Sequence, residues 1–167
     1  MMADSAHFSL PGFTTGGKKR FWERSGKIVH NLNARMLKRG IMGGKLSLEE
    51  GRDVLARGLG EPCKYCGQKI KVSTMSLDHP TPVSKGGDPW SVECICAGCN
   101  REKGELTDQE FQKFLVHVLT YAPNTQAYFH RTMRSGGAFF RMQAAMRGMI
   151  KRTGTLKERV ITAVIDA

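Results

Sequence analysis

Apolar residues recur every three or four positions through much of the chain, which is the spacing of one face of an α-helix. The first stretch with this spacing covers residues 28–37. Ser47 and Glu50 have the spacing of a capping box, which satisfies two amides of a first helical turn and predicts a second helix ending near Gly58 or Gly60. This part of the chain is therefore predicted to be helical.

Helical spacing returns towards the C-terminus. Thr107 and Glu110 repeat the capping pattern before an amphipathic stretch that is predicted to stop before Pro123. Two more helices are predicted over residues 139–150 and 155–165. The Met and Phe stripes of these helices are typical of faces that pack into a core, and we expect no cofactor site there.

The centre of the chain departs from this helical pattern. Residues 73–77 alternate small polar residues with apolar ones, and residues 92–96 have an extended, β-branched character. Pro and Gly are frequent between these segments, which predicts a long loop. The sequence thus predicts an α+β protein in which two short strands are flanked by helices.

The length of 167 residues suits one modest core with helical extensions rather than two ordinary domains. The chain opens without the features of a secretory signal, and no stretch has the roughly 18 apolar residues of a membrane span. We divide it into a flexible basic arm (1–20), an N-terminal helical region (21–60), a central core (61–106) and a C-terminal helical region (107–167).

The net charge of +11 favours a polyanionic partner, nucleic acid first and an anionic membrane surface second. Residues 1–60 and 131–167 each carry a net charge of +6, whereas residues 61–130 carry −1. The basic flanks are therefore expected to hold the partner. In the arm, the residues expected to contact phosphates are Lys18, Lys19 and Arg20.

Four cysteines occur as two pairs with metal-ligand spacing: Cys63 with Cys66, and Cys96 with Cys99. Each pair can direct two thiolates at one point, so together they predict one structural Zn²⁺ with tetrahedral ligands. Two disulfides are the alternative, but a chain without an export signal is expected in a reducing compartment. Cys94 is predicted to be a small buried side chain.

Between the cysteine pairs stand Asp78 and His79, at the end of the first predicted strand, and Asn100, Arg101 and Lys103 follow the second pair. A zinc clip is expected to bring these two segments together. An aspartate, a histidine, an asparagine and two cations would then be neighbours.

These motifs, with Pro82, Gly86 and Gly87, resemble an HNH endonuclease of the zinc-clipped kind. The resemblance covers roughly residues 60–106, and the preceding helical pair is more loosely similar to small bacteriophage HNH nucleases. It implies the ββα-metal fold, in which two antiparallel strands and a helix surround one divalent ion.

The resemblance also implies a role for each site residue. His79 would be the general base that takes a proton from the attacking water. Asp78 and Asn100 would offer oxygen ligands to Mg²⁺ or another divalent ion such as Mn²⁺ or Ni²⁺. Arg101 and Lys103 would contact neighbouring phosphates.

Two positions depart from the family pattern. Ser91 stands where the family has its central asparagine, which supports the loop through side-chain hydrogen bonds. Pro80 stands where the family has an aliphatic residue. Gly86 and Gly87 would let the loop turn sharply.

The resemblance implies a metal-dependent endonuclease that hydrolyses phosphodiester bonds, with double-stranded DNA as the expected substrate, in the cytoplasm of a bacterium or a phage-infected host. The alternative from another class is a non-catalytic zinc module that binds DNA, and an RNA-directed nuclease is a third. The sequence leaves open whether the chain nicks or cuts both strands. It also leaves open whether it acts alone, as a homodimer or in a phage DNA-processing complex.

Overall fold

The structure is a computed structural model in which residues 14–41 and 44–134 are described. These residues form two compact units. The first contains the described residues up to His79 together with Gly87–Ala97, and the second contains Pro80–Gly86 and the described residues from Gly98 onward. The helices are α1 (Thr15–Lys38), α2 (Leu48–Gly58), α3 (Ala97–Lys103), α4 (Asp108–Leu119) and α5 (Pro123–Arg134); the strands are β1 (Met75–Asp78) and β2 (Glu93–Cys96), and a 3-10 turn covers Val83–Lys85.

Helix α1 begins at Thr15, so the prediction of an arm that extends to residue 20 is wrong for its last six residues. Thr14 caps the helix because its hydroxyl accepts a hydrogen bond from the Gly17 amide at 3.2 Å. The sequence pattern missed residues 15–20 because they contain no apolar residue, and Phe21, which follows them, is fully buried. The predicted arm residues before Thr14 lie outside the described part of the chain.

Helices α1 and α2 pack closely in the first unit. A Cβ on Gly51 would lie 2.3 Å from a methyl carbon of Val29, so only glycine permits this approach. The Asn33 side chain fixes the connecting segment, since it donates to the Leu46 carbonyl at 2.9 Å and accepts from the Leu46 amide at 3.0 Å. The capping box of Ser47 and Glu50 is confirmed at the start of α2.

The two strands form the predicted antiparallel hairpin, with Met75 opposite Cys96 and Asp78 opposite Glu93. The strand predictions are confirmed to within a residue or two at each end. Helix α2 packs on this hairpin within the same unit. Its last residue, Gly58, would place a Cβ 2.4 Å from the Cβ of Cys94, so the absence of a side chain lets the helix reach the strand.

In the second unit, α4 begins at the predicted capping box of Thr107 and Glu110, which is confirmed. Its buried face carries Phe111 and Phe114, whose rings stack with centroids 5.9 Å apart. Helix α5 was not predicted, because Pro123 was interpreted as a stop signal, whereas here it is the first helical residue. Proline suits that position because its missing amide would have no helical partner there.

The mixed helical and two-stranded architecture confirms the predicted α+β class. The helices predicted over residues 139–150 and 155–165 lie outside the described residues. Among residues 14–41 and 44–134, no helix is long and apolar enough to span a membrane.

Candidate active site and metal centre

The four paired cysteines converge as the sequence predicts. The Sγ atoms of Cys63, Cys66, Cys96 and Cys99 all lie within 4.8 Å of one another. The distance from Cys66 Sγ to Cys96 Sγ is 3.7 Å. Tetrahedral Zn²⁺ with Zn–S bonds of about 2.3 Å separates its sulfur ligands by roughly 3.8 Å, so these thiols fit zinc. A disulfide requires about 2.05 Å, and all five cysteines are free, which excludes the two-disulfide alternative.

The first cysteine pair lies in a tight turn. The Gly67 amide donates to the Cys63 carbonyl at 2.8 Å, and Gly67 has a φ of 68°, a left-handed conformation that glycine adopts without strain. Burial raises the pKa of the Cys63 thiol, but backbone amide hydrogen bonds, that of Cys96 first, outweigh it and lower the pKa to about 7. Amides directed at a sulfur stabilise the thiolate, which is the form that binds metal.

The fifth cysteine has a different environment. Cys94 lies on β2 opposite Leu77, and its sulfur is not one of the four that cluster. Burial raises the pKa of the Cys94 thiol to about 11, so it stays protonated at neutral pH. Its contact with α2 agrees with the predicted packing role.

His79 follows directly after β1 and is partly buried. Its Nε2 lies 3.0 Å from the carbonyl oxygen of Pro89, ten residues further along the chain. Because a carbonyl only accepts, Nε2 donates its proton in this hydrogen bond. The neutral ring then has its basic lone pair on Nδ1.

Asp78 is the last residue of β1 and is only 5% exposed. Its cross-strand partner is Glu93, which forms an ion pair with Lys64 of the first cysteine turn. The sequence did not single out Glu93, because nothing in its local pattern shows that the hairpin register places it opposite Asp78.

Helix α3 carries the remaining predicted site residues in the second unit. Asn100 is partly buried and Arg101 is exposed. Lys103 is fully buried, with its Nζ 3.8 Å from an Oδ1 of Asp108. Between them, Glu102 is 1% exposed and pairs with two residues of α5, His130 and Arg134.

Three hydrogen bonds within the second unit hold the loop that follows His79. The Asp108 amide donates to the Pro80 carbonyl at 2.9 Å, Lys85 Nζ lies 2.5 Å from a Glu110 oxygen, and the Ser84 hydroxyl donates to Glu105. Glu110 thereby serves the capping box of α4 and the loop together. The sequence shows the capping pattern but gives no sign of the partner 25 residues away.

The second half of the loop uses turn chemistry. Gly86 has a φ of 82°, as a sharp turn requires, whereas Gly87 is not among the glycines with positive φ. The Ser91 amide donates to the Asp88 carbonyl, and an Asp88 side-chain oxygen accepts from the Trp90 amide at 3.0 Å. The Asp88 side chain thus gives this turn the kind of support that was expected of Ser91.

The sequence of the central region matches a known family. Residues 63–116 match the family model described as HNH endonuclease. The match begins at the first clustered cysteine, includes the hairpin and α3, and extends into α4. The resemblance drawn from the motifs is confirmed for these residues. No curated protein and no solved structure matches the chain.

Proposed function

We propose that residues 63–116, an HNH endonuclease domain, hydrolyse phosphodiester bonds of DNA and leave 5′-phosphate and 3′-hydroxyl ends. The observation that carries the proposal is the setting of His79, next to a buried aspartate and with its ring oriented by the Pro89 carbonyl. A general base must present its lone pair in a fixed direction, and the hydrogen bond at Nε2 supplies that constraint.

In this proposal the Nδ1 atom of His79 takes the proton from the attacking water. A neutral imidazole can accept a proton at this nitrogen. The Pro89 carbonyl would also stabilise the imidazolium that forms, because it accepts the hydrogen bond from Nε2 in both states.

Asp78 and Asn100 would hold a divalent ion such as Mg²⁺, Mn²⁺ or Ni²⁺. Carboxylate and amide oxygens are the ligands that hard cations prefer. Because Asp78 is buried, its carboxylate is largely removed from water, and a bound cation would balance its negative charge. When bound, the ion would supply positive charge next to the scissile phosphate.

The zinc centre has a structural part in this proposal. All four of its ligands come from the protein, so a bound Zn²⁺ has no position for substrate. It would instead connect the turn at Cys63 to the end of β2 at Cys96, and so hold in place the hairpin that carries Asp78.

Phosphate contact in the site is assigned to Arg101, which is exposed and can form two parallel hydrogen bonds to a phosphate. Lys103 is fully buried beside Asp108, and we revise its proposed role to the positioning of α3. The basic residues Lys18, Lys19 and Arg20 are exposed at the start of α1 and would add affinity that does not depend on base sequence.

Two alternatives remain for the test to separate. A zinc module that only binds DNA would have the same cysteine cluster but no need for an oriented histidine beside a buried aspartate. A nuclease for RNA would use the same chemistry on another backbone. The proposed compartment is the cytoplasm of a bacterium or a phage-infected host, since zinc-binding thiols require reducing conditions; a homodimer and a DNA-processing complex remain open proposals.

The test is nicking of supercoiled plasmid by the wild type and by His79→Ala, with His30→Ala as a matched control. His30 is an exposed histidine of α1 that is not part of the proposed site. We expect His79→Ala to lower the rate by roughly 10²–10⁴-fold, as the loss of a general base does, and His30→Ala to leave it unchanged. Zinc content should stay at one per chain in all three proteins.

A brief treatment with EDTA should stop cleavage, and excess Mg²⁺ should restore it while the zinc content is unchanged. Equal rates for the wild type and His79→Ala would disprove the role of His79. If the wild type cleaves no DNA or RNA with Mg²⁺, Mn²⁺ or Ni²⁺, the binding-module function replaces this one. Cleavage of RNA alone would correct the substrate.

A further inference from the structure

One face of α1 carries a stripe of basic side chains at helical spacing. The stripe residues are Arg20, Arg24, Lys27, Arg35 and Lys38, with Asn31 in the gap between Lys27 and Arg35. The whole helix contains seven Lys or Arg residues and one acidic residue, Glu23. Successive steps of three or four residues keep these side chains on one side of the helix, over a length of about 27 Å.

The stripe forms one wall of two clefts that follow each other along α1 in the first unit. Arg20, Arg24 and Lys27 line the first cleft together with Glu23, opposite residues 71–73, where Lys71 adds another exposed cation. Arg35 and Lys38 line the second cleft opposite Ser76 of β1. We call the two clefts together the α1 groove.

The α1 groove runs towards the candidate catalytic residues. The N-terminal half of α1 faces residues 71–73 and its C-terminal half faces Ser76, so both walls follow the same chain direction. Asp78 is two residues beyond Ser76, and the two-residue period of a strand places both side chains on the same face of β1. His79 comes next.

The cations of the groove are available for an anionic ligand. Within the described residues, Lys27, Arg35, Lys38 and Lys71 form no ion pair with a carboxylate, and all four are exposed. In the same part of the chain, the buried Nε of Arg24 has no hydrogen-bond acceptor. A buried donor without an acceptor is costly, which favours a ligand that supplies one.

The chemistry of α1 favours a nucleic acid over a lipid surface. A helix that binds a membrane presents an apolar face to the lipid. The apolar face of α1 is instead buried within its own unit, with Phe21, Val29 and Leu32 each at most 2% exposed. The basic stripe lies outside this buried face, and a row of cations about 27 Å long covers most of the roughly 34 Å repeat of one duplex turn.

We propose that the α1 groove binds the sugar–phosphate backbone of double-stranded DNA and leads it towards His79. The proposal rests on the proposed function for the identity of the nucleic acid, but binding in the groove requires neither the catalytic ion nor cleavage. It assigns the principal phosphate contacts to the length of α1 and Lys71 rather than to an arm that precedes the helix.

The test measures binding of a fluorescent 20-base-pair duplex by anisotropy, in a His79→Ala background without added divalent ion. The groove variant is Lys27→Ala with Arg35→Ala, and the control is Lys69→Ala with Lys113→Ala, which removes the same charge at exposed positions outside the groove. Circular dichroism and zinc content verify that each variant is folded.

We expect the groove variant to raise the Kd at least about tenfold at 0.1 M salt, and the control to change it by less than about twofold. The slope of log K against log salt should fall in magnitude by about two for the groove variant, because two phosphate contacts are lost. Vesicles of phosphatidylserine and phosphatidylcholine should show no binding that depends on the groove.

Equal Kd values for the groove and control variants would overturn the proposal. Vesicle binding that depends on the stripe, without DNA binding that depends on it, would also overturn it. These results are separable from the plasmid test. Groove-dependent DNA binding by a wild type that cleaves nothing would contradict the nuclease and leave the groove intact. Cleavage by the wild type, together with normal DNA binding by the groove variant, would contradict the groove alone.

Discussion

At the scale of single residues, the position of each cysteine determines whether it joins the sulfur cluster, and one hydrogen bond orients the candidate base His79. Cys96 and Cys94 are two positions apart on one strand, yet the first joins the sulfur cluster and the second packs beside Gly58. Their pairing spacings predicted that difference, since only Cys96 has a partner three residues away. The hydrogen bond from His79 to the Pro89 carbonyl could not be predicted, because it depends on how the intervening loop folds back.

Replacement of Cys66 by Ser should abolish zinc binding at the cysteine cluster. Zn²⁺ strongly prefers a full set of thiolate ligands, and structural zinc contributes directly to folding free energy. We expect less than one zinc per chain and a lower melting temperature, measured by metal analysis and thermal unfolding. Cys94→Ala is the control and should keep one zinc, since Cys94 is outside the cluster. Loss of zinc in both variants would contradict the assignment of the ligands.

At the scale of helices and strands, local sequence predicted where capped helices begin better than it predicted helices whose formation depends on packing against other elements. Both capping boxes are where Ser47 and Thr107 indicate, because a cap is formed by residues only three apart. The start of α1 and the whole of α5 were missed. Their formation depends on the burial of Phe21 and Met133 against other elements, which sequence spacing does not show.

The contact between α1 and α2 predicts opposite effects for two helical glycines. Gly51→Ala places a Cβ 2.3 Å from Val29, a stiff side chain in the core, and should destabilise the protein by about 1–3 kcal/mol. Gly26→Ala meets no atom closer than 3.6 Å and should stabilise it by roughly 0.5–1 kcal/mol, because alanine favours helices. Urea unfolding measures both, and changes of the same sign would contradict the packing.

The capping box of α4 should make the free energy of unfolding depend on pH. Burial raises the pKa of Glu110, but hydrogen bonds with Lys85 and Thr107 outweigh it and hold the pKa below its usual value. The carboxylate therefore contributes stability above pH of about 4.3, its value in the unfolded chain, and that contribution is lost as the pH falls through the lower folded pKa.

Glu110→Gln should therefore be less stable than the wild type at pH 7, and the difference should shrink below pH of about 4. Melting temperatures across this range measure the effect. Gln109→Ala is a control at an exposed neighbouring position that leaves the capping residues and the ionisable groups unchanged. A difference between Glu110→Gln and the wild type that is constant with pH would show that the ionised carboxylate is not responsible.

At the scale of the whole molecule, charge and chemistry lie in different parts of the chain. The net charge of +11 belongs to the flanks, and the central segment of residues 61–130 is slightly negative. Thiolates bound to zinc would add negative charge there. Affinity for a polyanion would therefore come largely from outside the candidate active site, as we propose for the α1 groove, and the salt dependence of binding would measure it.

The sequence by itself determined the cluster of four cysteines, the hairpin, the capped helices and the match of residues 63–116 to the HNH endonuclease model. These features depend on residues close together in the chain, or on the ligand spacings that zinc requires. Their pattern can therefore be recognised in the sequence. Tertiary structure alone decided that Lys103 is buried, that Glu93 lies opposite Asp78, and that Lys85 and Ser84 fasten the loop after His79. It also decided that the basic residues of α1 line a groove beside β1. Each of these features depends on contacts between residues far apart in sequence. The free energy of such contacts comes from burial and pairing, which the spacing of neighbouring residues does not reveal.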